Sequence, residues 1–212
     1  MEIIITIFSL IVLLFSIIIH ELAHGSVAYS LGDPTAKYEG RLTLNPLKHL
    51  DMFGSIILPL LLFISGSPVL VGWAKPVPIN PYNFKDQKWG TLKVSIAGPA
   101  TNFCIAVIFG LLARVLNSSL FMQSAQMSFF VELLSIVAIY NFLWALFNLV
   151  PIPPLDGSWI LFRFLPQGSE KIKMFMQQYG LLLLVLFIFS GGLQGLSYLA
   201  NLLYHLTAGL PI

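Results

Sequence analysis

The chain has 212 residues, 57% of them hydrophobic and 9% charged, with a net charge of +2 and a mean hydropathy of +0.86. Domains that fold in water carry about a quarter charged residues, so this composition excludes a compact soluble domain and reads as an integral membrane protein in a lipid bilayer. The small net charge argues against nucleic acid as a partner, and the lone Cys104 excludes an intrachain disulfide.

Up to residue 19 the first apolar run is interrupted only by Thr6, Ser9 and Ser16. Continued as a helix to Leu31 it is roughly 43 Å long, more than the hydrocarbon core of about 30 Å. Glu2 is its only early charge and no small-residue cleavage site follows, so it reads as a retained span and not a signal peptide. Gly32 and Asp33-Pro34 end this first core helix, residues 1–32. Residues 33–91 read as polar loops, short β-like segments and an apolar stretch at 52–73 broken by Pro59 and "SGSP". The alternation in "KYEGRLTL" predicts a strand at 38–44, and the prolines of "KPVPINP" predict extended chain at 76–80. A second core helix follows at 92–117 with "GPATN", and a third at 130–157 ends in "PIPPLDG". A C-terminal helix at 179–206 has a possible bend at Gly191-Gly192.

If 52–73 dips into the membrane and returns, Lys37, Arg41, Lys48, Lys75, Lys85, Lys88, Lys93, Arg163, Lys171 and Lys173 share one side, leaving only Arg114 elsewhere. Cytoplasmic loops carry the excess of Lys and Arg, so a re-entrant hairpin with four full spans and an outside N-terminus is favoured over five spans. The expected fold is an all-α polytopic membrane protein: about four transmembrane helices around a three-helix catalytic core, forming one domain over 1–212.

The first span contains "HELAH". His20 and His24, four apart on a helix, project from one face and can hold one zinc ion. Glu21 beside them can take a proton from the attacking water and later pass one to the leaving amine. His24 lies roughly 12 Å from its helix end, where ionisable groups cost a few kcal/mol, and a metal supplies the compensation. A catalytic zinc needs a third protein ligand. His205 stands alone near the C-terminus; His49 and Asp51 lie in a polar loop; Asp156, at a broken helix end, is the best candidate. It can meet the histidines only if both lie near one membrane face, which the four-span topology allows.

HELAH, GPATN at 98–102 and "FNLVPIPPLDG" at 147–157 together resemble the site-2 protease family of intramembrane zinc metalloproteases, in particular its small bacterial or archaeal members without PDZ or CBS modules. The resemblance implies zinc held by His20, His24 and Asp156, one ion per chain, with Glu21 as general base. It implies that Asn148 positions the substrate or its oxyanion. Gly98 and Asn102 match the family's G-x-x-x-N element; Asn102 joins the candidate substrate-binding residues, with helix packing as its alternative role.

Peptide hydrolysis within a span requires the substrate to unwind, which exposes backbone groups to lipid at several kcal/mol each. Extended enzyme chain beside the zinc can pair with them, which makes Pro153 and Pro154 further substrate-binding candidates. The expected function is proteolysis within or near transmembrane segments of membrane-protein substrates, in a prokaryotic cell membrane, with the active site near the cytoplasmic side. A metal transporter would spread polar residues through its spans, and an inactive helix-binding scaffold would have no need of Glu21.

Overall fold

The computed structural model describes residues 2–65, 74–117 and 124–209. They form helices α1 (Glu2–Ser30), α2 (Thr35–Tyr38), α3 (Leu58–Ile64), α4 (Gly90–Leu116), α5 (Ala125–Asn148), α6 (Asp156–Phe164), α7 (Glu170–Phe189) and α8 (Gly192–Ala208). Helices α1, α4, α5 and α7 are long and apolar enough to cross a membrane. The chain is an all-α polytopic membrane protein, and among the described residues there is no sheet, only one isolated antiparallel bridge between Leu50 and Ala74.

α1 ends as its sequence dictates. Gly32, at φ +108°, takes a left-handed conformation. The Gly32 amide donates to the Tyr29 carbonyl and the Asp33 amide to the Ala28 carbonyl, both at 3.0 Å. Those two bonds satisfy carbonyls that the helix leaves open. The N-terminal half of α1 is lipid-type surface, with Ile3, Ile4, Ile7 and Leu10 exposed; its C-terminal half buries Ser16, Ile18, His20, His24 and Ala28.

α4 packs against α1, α5, α6 and α8. Small residues set the spacing, since helices in lipid associate by close packing. Ala106, Ala113, Ala138, Ala200 and Ala208 are buried where α4, α5 and α8 meet. Gly110 leaves room for Thr207: a Cβ there would lie 2.6 Å from the Thr207 hydroxyl oxygen. The Ser135 and Tyr204 hydroxyls bond α5 to α8.

Four expectations change. Residues 38–44 form no strand: Tyr38 ends α2, Gly40 turns with φ +63°, and the Arg41 amide bonds back to the Ala36 carbonyl at 2.9 Å. The C-terminal apolar region begins earlier, at Glu170, and is two helices, because Gly191 at φ +93° breaks it. It is α8 that packs on the bundle, whereas in α7 only Gly180 is buried. α5 stops at Asn148, so Asp156 opens α6 and does not end the third core helix. The "SGSP" tip at 65–68 falls, beyond Ser65, outside the described residues. The two ends of that segment do meet: Leu50 bridges Ala74, and the Lys75 amide donates to the His49 carbonyl at 2.9 Å. The chain therefore leaves and returns at one place.

Candidate active site

α1 presents His20 and His24 one turn apart, 3% and 6% exposed. α6 presents Asp156 from its first residue. The two Nε2 atoms are 3.0 Å apart, and Asp156 Oδ2 lies 3.0 Å from His20 Nε2 and 3.1 Å from His24 Nε2. Among the described residues this is the one His/Cys/Asp/Glu cluster compact enough to hold a metal.

The chemistry of the donor set says what belongs there. His20 Nδ1 lies 2.7 Å from Asn102 Oδ1, and His24 Nδ1 lies 2.7 Å from the Val94 carbonyl oxygen. Both partners only accept, so in the neutral rings both Nδ1 atoms carry the proton and donate it. Both Nε2 atoms then direct lone pairs at each other and at a carboxylate oxygen. Three lone pairs converging at 3.0–3.1 Å call for a cation between them. Ligand atoms around one tetrahedral zinc at about 2.0–2.1 Å stand roughly 3.3 Å apart, so these residues fit zinc. The acceptor behind each ring is the usual device for fixing a ligating imidazole.

Gly98 explains the "GPATN" run. A Cβ at this position would lie 2.5 Å from His24 Nε2 and 2.6 Å from His20 Nε2. Only glycine lets α4 pass so close to the imidazoles.

The histidines and Asp156 open on a cleft of about 450 Å³. Pro76, Val77, Ile79 and Phe84 line one wall, Thr91 and Ser95 of α4 another, and Asn148, Pro154 and Trp159 the rest. Glu21 lines it too, with its Oε2 accepting the Val77 amide at 2.8 Å. The wall that carries Val77 is extended chain, tied down at both ends. At one end Arg41 Nη2 donates to the Lys75 and Pro76 carbonyls at 2.6 and 3.2 Å. At the other, Asp33 accepts from the Asn80 amide at 2.7 Å and from Asn83 Nδ2 at 2.8 Å. Burial pushes the Asp33 carboxyl up, but hydrogen bonds from Thr35, Asn83 and the Asn80 amide outweigh it and hold the group below its ordinary value.

The structure thus brings His20, Glu21, His24, Asn148, Pro154 and Asp156 to one cleft. Two candidates fall elsewhere. Asn102 is wholly buried behind His20: its side chain faces that imidazole and does not line the cleft. Pro153 turns away towards α7: a Cβ on Gly180 would meet the Pro153 carbonyl oxygen at 2.5 Å. The alternative ligands are engaged in loops or distant helices. His49 Nε2 bonds the Thr43 carbonyl, and Asp51 accepts the Phe53 and Gly54 amides. His205 lies on α8. Sequence reasoning missed the Val77 amide and the Val94 carbonyl, which as backbone atoms carry no residue-type signal. It also missed Asn141, which bonds Asn102 and whose signal was an amide amid the apolar middle of a span.

Comparison with known proteins finds a peptidase family and relatives named as zinc metalloproteases. The sequence profile described as peptidase family M50 matches residues 113–187. A Bacillus subtilis (strain 168) protein, YwhC, provisionally named a zinc metalloprotease, is 42% identical over 84% of this chain and 78% of its own length. Rip2 of Mycolicibacterium smegmatis, named in the same way, is 31% identical over 85% of this chain and 66% of its own length. Rip2 of Mycobacterium tuberculosis (strain H37Rv) is also 31% identical, over 82% of this chain and 64% of its own length. No solved structure matches at a comparable significance.

Proposed function

The chain belongs to peptidase family M50 and is a membrane zinc metalloprotease, and from that premise we propose that it cleaves peptide bonds within or near transmembrane segments of other membrane proteins. His20, His24 and Asp156 hold one zinc, and Glu21 is the general base. The observation that carries this reading is the convergence of three lone pairs on one point, with a carboxylate beside it in the same cleft.

A zinc held there would supply Lewis-acid polarisation of the scissile carbonyl and a pKa near 7 for the attacking water. Glu21, held by the Val77 amide, accepts that water's proton and returns one to the leaving amine. Asn148 lines the cleft; one of its Nδ2 hydrogens is held by the Trp144 carbonyl at 3.0 Å, and the rest of its amide is left for the bound chain. Pro154 and the extended wall at 76–79 flank the unwound substrate and offer it backbone partners that lipid lacks.

The setting is a prokaryotic cell membrane, supported by the bacterial relatives, with the cleft near the cytoplasmic side, supported by the basic loops around it. The activity is of the kind used in regulated intramembrane proteolysis.

The test measures bound zinc per chain and cleavage of a panel of single-span substrates, for wild type and Glu21→Gln in detergent. The expected result is one zinc per chain in both, with cleavage reduced by about 10²–10⁴ in the variant. Absence of zinc from wild type, or cleavage that survives in Glu21→Gln, overturns the reading.

A further inference from the structure

A chain of side-chain amides runs from α5 to the metal-facing ring of His20. Asn102 and Asn141 are both buried, 0% and 1% exposed. Asn102 Nδ2 donates to the Ser16 carbonyl at 3.1 Å and to Asn141 Oδ1 at 2.8 Å. Asn141 Nδ2 donates to the Val137 carbonyl at 2.9 Å. Asn102 Oδ1 faces His20 Nδ1 at 2.7 Å.

The direction of every link is forced. Val137 and Ser16 contribute backbone carbonyls, which only accept. Asn141 must therefore turn its NH2 to Val137 and its oxygen to Asn102. Asn102 in turn must point its NH2 at Asn141 and Ser16 and its oxygen at His20. His20 is left to donate from Nδ1, and its Nε2 lone pair enters the cluster with His24 and Asp156. Flipping Asn102 would bring an NH2 group against His20 Nδ1. The ring proton would then move from Nδ1 to Nε2, into the place a metal takes.

We propose that Asn141 is a positioning residue of the metal centre: acting through Asn102, it holds His20 in the Nδ1–H tautomer that leaves Nε2 free to ligate. The proposal rests on the reading of His20, His24 and Asp156 as the zinc site. Asn141 touches neither substrate nor metal. On its outer side it reaches a lipid-facing groove lined by Phe8, Ile11, Phe15 and Phe109, and its amide turns away from that groove towards Asn102.

The test uses Asn141→Leu, of similar volume without hydrogen-bonding groups, and Asn141→Asp, whose protonated carboxyl can accept from Asn102 and donate to Val137. Zinc affinity of the purified protein in detergent is measured by chelator competition. The tautomer of His20 in the metal-free protein is read from its ¹⁵N chemical shifts. Asn141→Leu is expected to weaken zinc about 10–100-fold, the range for lost second-layer partners of a ligand, and to populate the Nε2–H form of His20. Asn141→Asp is expected to stay within a few-fold of wild type with Nδ1–H retained. Equal weakening in both variants, or unchanged affinity in Asn141→Leu, overturns the proposal. So does an Nε2–H tautomer in wild type, a measurement that needs no variant to fold. Wild type that binds no zinc would instead strike the metal reading, and the tautomer comparison would then decide the relay by itself.

Discussion

The carboxylate of Glu21 and the backbone amide of Val77, 56 residues apart in the chain, are joined by a 2.8 Å hydrogen bond. The same peptide group is held from its other side, where Arg41 Nη2 donates to the Pro76 carbonyl at 3.2 Å and to the Lys75 carbonyl at 2.6 Å. An arginine 4% exposed therefore anchors the segment that fixes Glu21, the proposed general base. None of these three hydrogen bonds is made by His20, His24 or Asp156.

Replacing Arg41 should separate catalysis from metal binding. Arg41→Ala loses the two anchors and lets Val77 drift from Glu21, while His20, His24 and Asp156 keep their places. Cleavage should fall about 10–100-fold, as when an orienting partner of an active-site group is removed, with zinc per chain unchanged. Turnover within twofold of wild type at full zinc content would show that Glu21 is oriented without this anchor.

Gly98→Ala should do the reverse and attack the metal site directly. Its added Cβ would fall 2.5–2.6 Å from the histidine Nε2 atoms, so α4 or the imidazoles must move. Zinc affinity should drop by about 100-fold or more, since ligand placement tolerates only a few tenths of an ångström. Gly110→Ala is the control: it presses on Thr207 at the α4–α8 contact and should lower the melting temperature while zinc affinity holds. Chelator competition and thermal melts on both variants check the contrast.

The clustering of His20, His24 and Asp156 was legible because its signal lies in residue type and spacing: two histidines one helical turn apart, and one acid at a proline-broken helix end. The spans were legible for the same kind of reason, since lipid demands long apolar runs. What stayed hidden depended on which way a side chain faces. Asn102, a substrate candidate with helix packing as its alternative role, lies behind His20, because the rotation of α4 about its axis is set by packing through Gly98 and Ala106. The alternation at 38–44 misled because it reflects no sheet face: Tyr38 and Leu44 are exposed, while Arg41 is buried against backbone carbonyls. The break at Gly191 was foreseen only as a bend, since residue type alone does not say whether a glycine takes positive φ.

The two prolines before Asp156 should now be separable. Pro154 lines the cleft, whereas Pro153 packs against Gly180 of α7. Pro154→Ala should slow cleavage by about tenfold with full zinc content if its wall aligns the substrate. Pro153→Ala should act on stability instead, at about 1 kcal/mol, the centre of the range for single substitutions. Equal kinetic effects from both would place the influence of the prolines in the loop as a whole.

Asp33 supplies a pH-dependent contribution to stability outside the spans. It is 1% exposed, and its carboxylate joins the end of α1 to the segment that carries Val77 through the Asn80 amide and the Asn83 side chain. Those bonds favour the charged form, so the folded-state pKa lies below the ordinary 3.8. A depressed carboxylate contributes its full stabilisation above the unfolded-state value and loses it as the pH falls through the folded-state value. Asp33→Ala should therefore cost about 2–3 kcal/mol near neutral pH, as expected for lost hydrogen bonds to a buried charge. The gap between the melting curves of wild type and variant should narrow only once the pH drops below about 4. A gap that stays constant down to pH 3 would mean that the carboxyl's charge contributes nothing to the clasp. A gap that closes already near pH 6 would point to another group.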